Sequence, residues 1–275
     1  YRDVAPEVAG ELGADIADVD RARLKAVEWL EDRPLGTKDL MQVLGLTIKR
    51  DNYNKLITFL GMLSAYTEED QFNISFRAES STGKSYLPLE IDKLFPEEDV
   101  IEIAYSSPTS FWHDHGEYNP EDGTIRINLR RKILVFIDQP HDQLLQRLRP
   151  LLSHDRPELV YKITDKREKG GLRTKTVKII GYPAVFFCTG HLRMDEQEST
   201  RMIILSPETS QKKLREAIFL RAVRDGNRRA FESLIESDPF RKALRNRIKK
   251  IKQANILDVI IENPEEVASR FVKSR

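Results

Sequence analysis

Residues 72–85 read Phe72-Asn-Ile-Ser-Phe-Arg-Ala-Glu-Ser-Ser-Thr-Gly-Lys-Ser85. The alternation of apolar and polar residues at 72–76 predicts a strand. The segment after it has the composition of a phosphate-binding loop: backbone amides of Ser80, Ser81, Thr82 and Gly83 to cradle phosphates, the Lys84 ammonium for the β/γ positions, and the Ser85 hydroxyl for Mg²⁺. A helix is expected over residues 85–94, with its positive end at the same phosphates. In the pattern G-x-x-x-x-G-K-[ST] the first glycine is here Ala78, which lacks part of glycine's conformational range. A strand before and a helix after are what separate this motif from a chance Gly-Lys-Ser.

Outward from the loop, residues 71–210 alternate short apolar runs with helical patterns. Strands are expected at 72–76, 100–104, 132–137 and 184–188, with helices at 85–94 and 141–152. That order predicts an α/β fold with a parallel sheet, here a P-loop NTPase core. Residues 119–128 read as a turn followed by alternation. Residues 159–180 read as a hairpin inserted in the core, with Gly170 and Gly171 at its tip. Residues 1–70 are expected to be a helical N-terminal region. Asp20 would cap a helix with Leu24, Val27, Trp29 and Leu30 on its apolar side, ended by Pro34 and Gly36. Thr37 would cap a second, carrying Leu40, Met41 and Leu44, and Asp51 a third, with Leu56, Phe59, Leu60 and Leu63. Residues 211–275 form a helical and basic C-terminal region, rich in Arg and Lys from Arg221 to Lys252.

The run Lys132-Ile-Leu-Val-Phe-Ile-Asp138 is apolar up to a carboxylate, as expected of a buried strand presenting Asp138 to Mg²⁺ at its carboxyl end. Gln139 follows; its amide can hold a water but cannot take its proton. An engineered Glu-to-Gln change, a native enzyme using another carboxylate such as Asp142 or Asp155, and a weak ATPase all fit. Pro183-Ala-Val-Phe-Phe-Cys-Thr189 is a further apolar strand ending in a hydroxyl, placed to sense a γ-phosphate or simply to end a strand. Arg201, close behind in Glu198-Ser-Thr-Arg201, could reach a neighbouring subunit's γ-phosphate or pair with Glu198.

In this order, with Ser107-Pro-Thr109 and Leu205-Ser-Pro-Glu208, these segments resemble AAA+-like helicase domains, and among them the ATPases associated with primases in archaeal and bacterial mobile elements. The resemblance covers residues 50–220. It implies an ATP- and Mg²⁺-dependent DNA helicase or translocase acting in replication, a hexameric or other homo-oligomeric ring, single-stranded or forked DNA as substrate, and a primase or polymerase as partner. Members that hydrolyse ATP usually carry Glu where Gln139 stands. In hexameric members a hairpin before the sensor strand grips DNA in the channel, and residues 159–180 occupy that position. The hairpin tip carries Lys166, Arg167, Lys169, Arg173 and Lys175, suited to phosphate contacts without base readout. The C-terminal basic stretch is a second electrostatic candidate. The alternatives are an ATP-switched loader or initiator module without unwinding, and a remodeller of proteins.

Bulk properties narrow the class. The chain has 275 residues, 32% charged, with net charge +1 and one cysteine, Cys188. No apolar run approaches the ~20 residues of a membrane span, and no signal peptide opens the chain. The single cysteine fits a reducing cytoplasm rather than a disulfide framework. The start at Tyr1 reads as a piece of a longer or processed protein. His113 and His115 form the only close histidine pair, without the cysteines or the H-E-x-x-H spacing of a zinc site.

Overall fold

The structure, a computed structural model, describes residues 21, 23, 24, 27, 28, 31, 33–78, 82–104, 116–138, 140, 142–165, 173–189, 201–254, 256, 260 and 262–272. Its centre is a sheet of five parallel strands: β1 (Asn73–Arg77), β2 (Val100–Ile103), β5 (Ile133–Phe136), β8 (Ala184–Thr189) and β9 (Ile203–Leu205). Their spatial order is β2-β5-β8-β1-β9. A second sheet of four strands contains β3 (Glu117–Asn119), β4 (Thr124–Asn128), β7 (Arg173–Ile180) and β6 (Glu158–Asp165), in the order β3-β4-β7-β6. The β6–β7 hairpin is antiparallel with Leu159 opposite Ile179, whereas β4 and β7 run parallel. The helices are α1 (Thr37–Leu44), α2 (Asn52–Leu63), α3 (Tyr86–Ile91), α4 (Asp142–Leu152), α5 (Gln211–Gly226), α6 (Arg228–Ser237), α7 (Pro239–Gln253) and α8 (Pro264–Val272).

The apolar runs of the central strands follow from burial on both faces. Ile133 and Val135 point to one side with Ile74, Phe76, Phe186 and Cys188, where α1, α2, α3 and α7 bring Val43, Phe59, Met62, Ile91, Leu244 and Ile248. Leu134 and Phe136 point to the other with Val185 and Phe187, where α4 and the second sheet bring Leu144, Leu148, Leu159, Val177 and Ile179. The hairpin base is therefore core, and Phe136 stacks on Phe187 with centroids 5.2 Å apart.

Several expectations change in detail. The helix expected to be capped by Thr37 begins at that residue. Gly36 is its N-cap, and the Asp39 carboxylate accepts the Gly36 N–H at 2.9 Å. Asp51 does precede α2, but in the left-handed conformation (φ 56°) and without capping it. Its carboxylate is taken by Lys213, by the Glu208 N–H and by the Asn54 side chain. The helix expected over 85–94 is α3 followed by a tighter 3₁₀ turn at Asp92–Leu94. Leu60, expected on the apolar side of α2, is 47% exposed. Leu24 is exposed as well, while Trp29 and Leu30 lie outside the described residues. The strand β9 and the parallel β4–β7 pairing were not anticipated.

Candidate functional site

The strand register brings the expected residues to one edge. Phe136 of β5 pairs with Phe187 of β8, so Asp138 and Thr189, each two residues on, end level. Thr189 in turn pairs with Arg77, the last residue of β1. The chain leaves β1 for β2 on one side and leaves β8 past β1 for β9 on the other. Their carboxyl ends thus mark the crevice where open α/β sheets bind ligands.

The loop after β1 turns at Gly83, whose φ of +82° only glycine adopts without strain. The first helical bond then runs from Tyr86 N–H to Gly83 O at 3.2 Å. Ser85 stands at the N-cap of α3 but its hydroxyl caps nothing. Lys84 and Ser85 are half-buried and Asp138 is exposed. Cys188 of β8 approaches the Lys84 carbonyl, Sγ to O 3.9 Å. Burial pushes its thiol up to about 12, with Lys84 drawing it down and Asp138 pushing it up. This buried thiol therefore feels both candidate phosphate-site charges.

Thr189 is the anomaly of this edge. It is 2% exposed, and its Oγ1 has no hydrogen-bond partner among the described residues. A buried hydroxyl left unmated costs about 1–3 kcal/mol, so an orphan here marks a place where a polar ligand atom fits. Ser85, Asp138 and Thr189 offer oxygen atoms suited to Mg²⁺ and a phosphate. Mg²⁺ needs no closed protein cage, because it keeps waters and takes substrate oxygens. Among the described residues no group of three or more His, Cys, Asp or Glu could hold a metal by itself.

A cavity of about 340 Å³ opens beside Thr82 and Gly83, walled by Ile48, Tyr86, Leu214, Ile218 and Phe231. Tyr86 is pinned by its hydroxyl, which donates to Thr47 O at 3.0 Å. Two ion pairs fasten α5 over this cavity: Arg50 with Glu216 at 2.8 Å, and Asp51 with Lys213. Asp51 also accepts from the Glu208 N–H at 3.0 Å and from Asn54 at 2.7 Å. Arg50 and Asp51 are both left-handed, at φ 53° and 56°, and such strain persists only where neighbours over-determine it. Ile48, Tyr86, Leu214, Ile218 and Phe231 were not singled out from sequence. The available signal was the apolar content of α5, a helix in which no residue is buried.

Other candidates do not join this edge. Ile203 pairs with Ile74, so Arg201 sits near the amino end of the sheet, in a cleft with Gln71, Asn73 and His154. Over a five-residue strand that is about 15 Å from the loop after β1. Ser80, Ser81, Gln139, Lys166, Arg167 and Lys169 lie outside the described residues. Arg173 and Lys175 lie in β7, paired with Asp165 and Ile163. Much of the basic C-terminal stretch is occupied within the fold. Arg241 is 2% exposed. Arg245 donates to Lys93 O at 2.7 Å and pairs with Glu236. Arg247 bonds Arg33 O, and Lys252 pairs with Glu98 and Asp99, both at 2.8 Å. Lys242, Lys249 and Lys250 remain exposed.

Among the described residues no helix is long and apolar enough to cross a membrane. The sequence matches no family model and no curated protein. Among solved structures, the apo A form of the NrS-1 C-terminal region is similar at a TM-score of 0.37, with 15% identity over 85% of this chain and 51% of that one. The chain thus spans about half the length of that structure, and at this score the likeness carries no argument about function.

Proposed function

We propose that this chain binds ATP with Mg²⁺ at the carboxyl edge of its parallel sheet and couples turnover to movement along DNA. The observation that carries the reading is the buried hydroxyl of Thr189, without a hydrogen-bond partner among the described residues, level with Asp138 at the end of β8 beside β1. In this reading the fold is a P-loop NTPase core. Backbone amides of residues 80–85 cradle the phosphates, Lys84 supplies the cation, and Ser85 and Asp138 hold Mg²⁺, which neutralises phosphate charge when bound. Thr189 donates to the γ-phosphate, and Gln139 orients the attacking water, whose proton passes to a γ-phosphate oxygen. The apolar cavity beside Gly83 takes the base, as ligand cavities of this size and lining do.

Arg201 is too far to serve its own phosphate loop, so its role in turnover is in trans, which requires a second copy of the chain. The hairpin tip, with Lys166, Arg167, Lys169, Arg173 and Lys175, contacts DNA phosphates. A second reading, an ATP-switched loader that does not unwind, is favoured by Gln139 alone. Strand displacement on forked DNA separates the two.

The test is ATP binding by calorimetry. Lys84→Ala is expected to lose measurable ATP affinity while keeping its thermal transition. Unchanged affinity in that variant would overturn the reading.

A further inference from the structure

A second cleft, of about 720 Å³, lies away from the phosphate loop, between the 3₁₀ turns Asp92–Leu94 and Glu97–Asp99, edge strand β2 and α7. Its lining carries four acids, Asp92, Glu97, Glu98 and Glu102, and four bases, Lys93, Arg245, Lys249 and Lys252, but three of the bases are engaged. Of the basic groups at its wall, Arg245 is taken by Glu236 and Lys93 O, Lys252 by Glu98 and Asp99, and Lys93 by Glu90. Asp92, Glu97 and Glu102 have no ion pair among the described residues; Lys249 lines the same cleft, and Lys93 also acts on Asp92. Asp92 is also 3% exposed, and its Oδ2 has no hydrogen-bond partner among those residues. The Lys93 backbone N–H serves this carboxyl, but its Oδ2 is left without a donor among the described residues, and a cationic donor there satisfies hydrogen bond and charge together.

A metal ion fits poorly, because no three-ligand cluster exists among the described residues. The cleft is also far larger than an ion needs, and Pro96 and Val100 give it an apolar wall. An aliphatic amine fits better, laying methylenes on apolar surface while its charged ends reach carboxylates. Asp92 lies close enough to Glu102 to feel its charge, and Glu97 lines the same cleft, which suits a chain with more than one ammonium.

We infer that this cleft binds a linear polyamine, one ammonium at Asp92 and Glu102 and another at Glu97. The inference is independent of the nucleotide site. Burial, with Glu102 and Glu90 adding repulsion against Lys93, pushes the Asp92 carboxyl up to about 8. From α7, Arg245 and Lys249 face the same cleft. A bound cation favours the ionised carboxyl, so affinity rises as pH rises toward that value and levels above it.

The probe is spermidine, titrated into the full chain by calorimetry at 150 mM salt. Binding at one site per chain is expected, weakened about tenfold or more by Asp92→Asn and by Glu102→Gln, unchanged by Lys84→Ala, and stronger at pH 8.5 than at pH 6.5. Glu102 is exposed, so Glu102→Gln tests the site without burdening the core. No binding at millimolar spermidine would overturn the inference, as would an affinity indifferent to Glu102→Gln. Displacement by an equal concentration of Mg²⁺ would show a metal site instead.

Discussion

At Thr189 a strand of otherwise apolar side chains ends in a hydroxyl that is buried with nothing to bond among the described residues. Without ligand, Thr189→Val removes an unmated group and keeps the shape. The variant should therefore be as stable as the parent, or more stable by about 1 kcal/mol. Its ATP turnover should fall by about 10², with ATP affinity little changed. A turnover equal to that of the parent would show that Thr189 only ends a strand. Lys84, Ser85, Asp138 and Thr189 were all legible as residues, because each follows an apolar strand and parallel strands deliver their carboxyl ends to one edge. Tyr86 was not, and Asp51 was read only as a helix cap. Their importance lies in partners far along the chain, Thr47 and Lys213, which no local pattern announces.

Among the elements, α2 reaches the central sheet through Gly61. A Cβ there would stand 2.7 Å from Ile74 Cδ1 and 3.4 Å from the Phe186 ring. Gly61→Ala gains about 1 kcal/mol in helix propensity but overpacks a closed core at about 1–3 kcal/mol. A net loss of about 1 kcal/mol is expected, read as a lower urea midpoint; a raised midpoint would mean that α2 can shift away.

The turn after α3 offers a pH test. Asp92 titrates at about 8 when folded, against 3.8 as its ordinary value. The folded state thus holds a proton that the unfolded state has released, and stability falls as pH rises between those values, then flattens. Asp92→Asn should remove that slope. It should match the parent near pH 4 and exceed it at pH 8 by on the order of a few kcal/mol, measured by urea unfolding at both values. Equal slopes in the two proteins would refute the assignment. Strands β1, β2, β5 and β8 were legible within a residue or two at each end, because burial on both faces demands continuous apolar runs. β9 was not: three residues, with Ile203 and Ile204 partly exposed at the sheet edge, leave too short a pattern to separate from a loop.

For the whole molecule, the contrast between the two basic regions decides where DNA would run. Arg241, Arg245, Arg247 and Lys252 hold α7 to the body, so their charge is largely spoken for. Replacing Lys166, Arg167 and Lys169 together by Ala should weaken DNA binding similarly across sequences. It should also flatten the log–log salt dependence by ~0.7–0.9 for each DNA phosphate that is no longer neutralised, with ATP affinity retained. The comparison is Lys249 and Lys250 replaced by Ala. If only that pair weakens binding, DNA follows α7 and not the hairpin.

Taken by itself, the sequence determined the α/β class, the parallel sheet, the hairpin at 159–180 and the residues gathered at the sheet edge. Those depend on strand periodicity and on a short motif whose parts are adjacent in the chain. Tertiary structure alone decided that the hairpin base belongs to a second sheet through its parallel pairing with β4, and that Arg201 lies at the end of the sheet opposite Gly83, Lys84 and Ser85. It also decided that Arg241, Arg245 and Arg247 hold α7 to its neighbours, and that Asp51 pairs with Lys213 of α5 instead of capping α2. Each of these turns on a pairing between segments tens to more than a hundred residues apart, where competing partners are weighed by burial and charge in three dimensions, and local sequence carries no record of which partner wins.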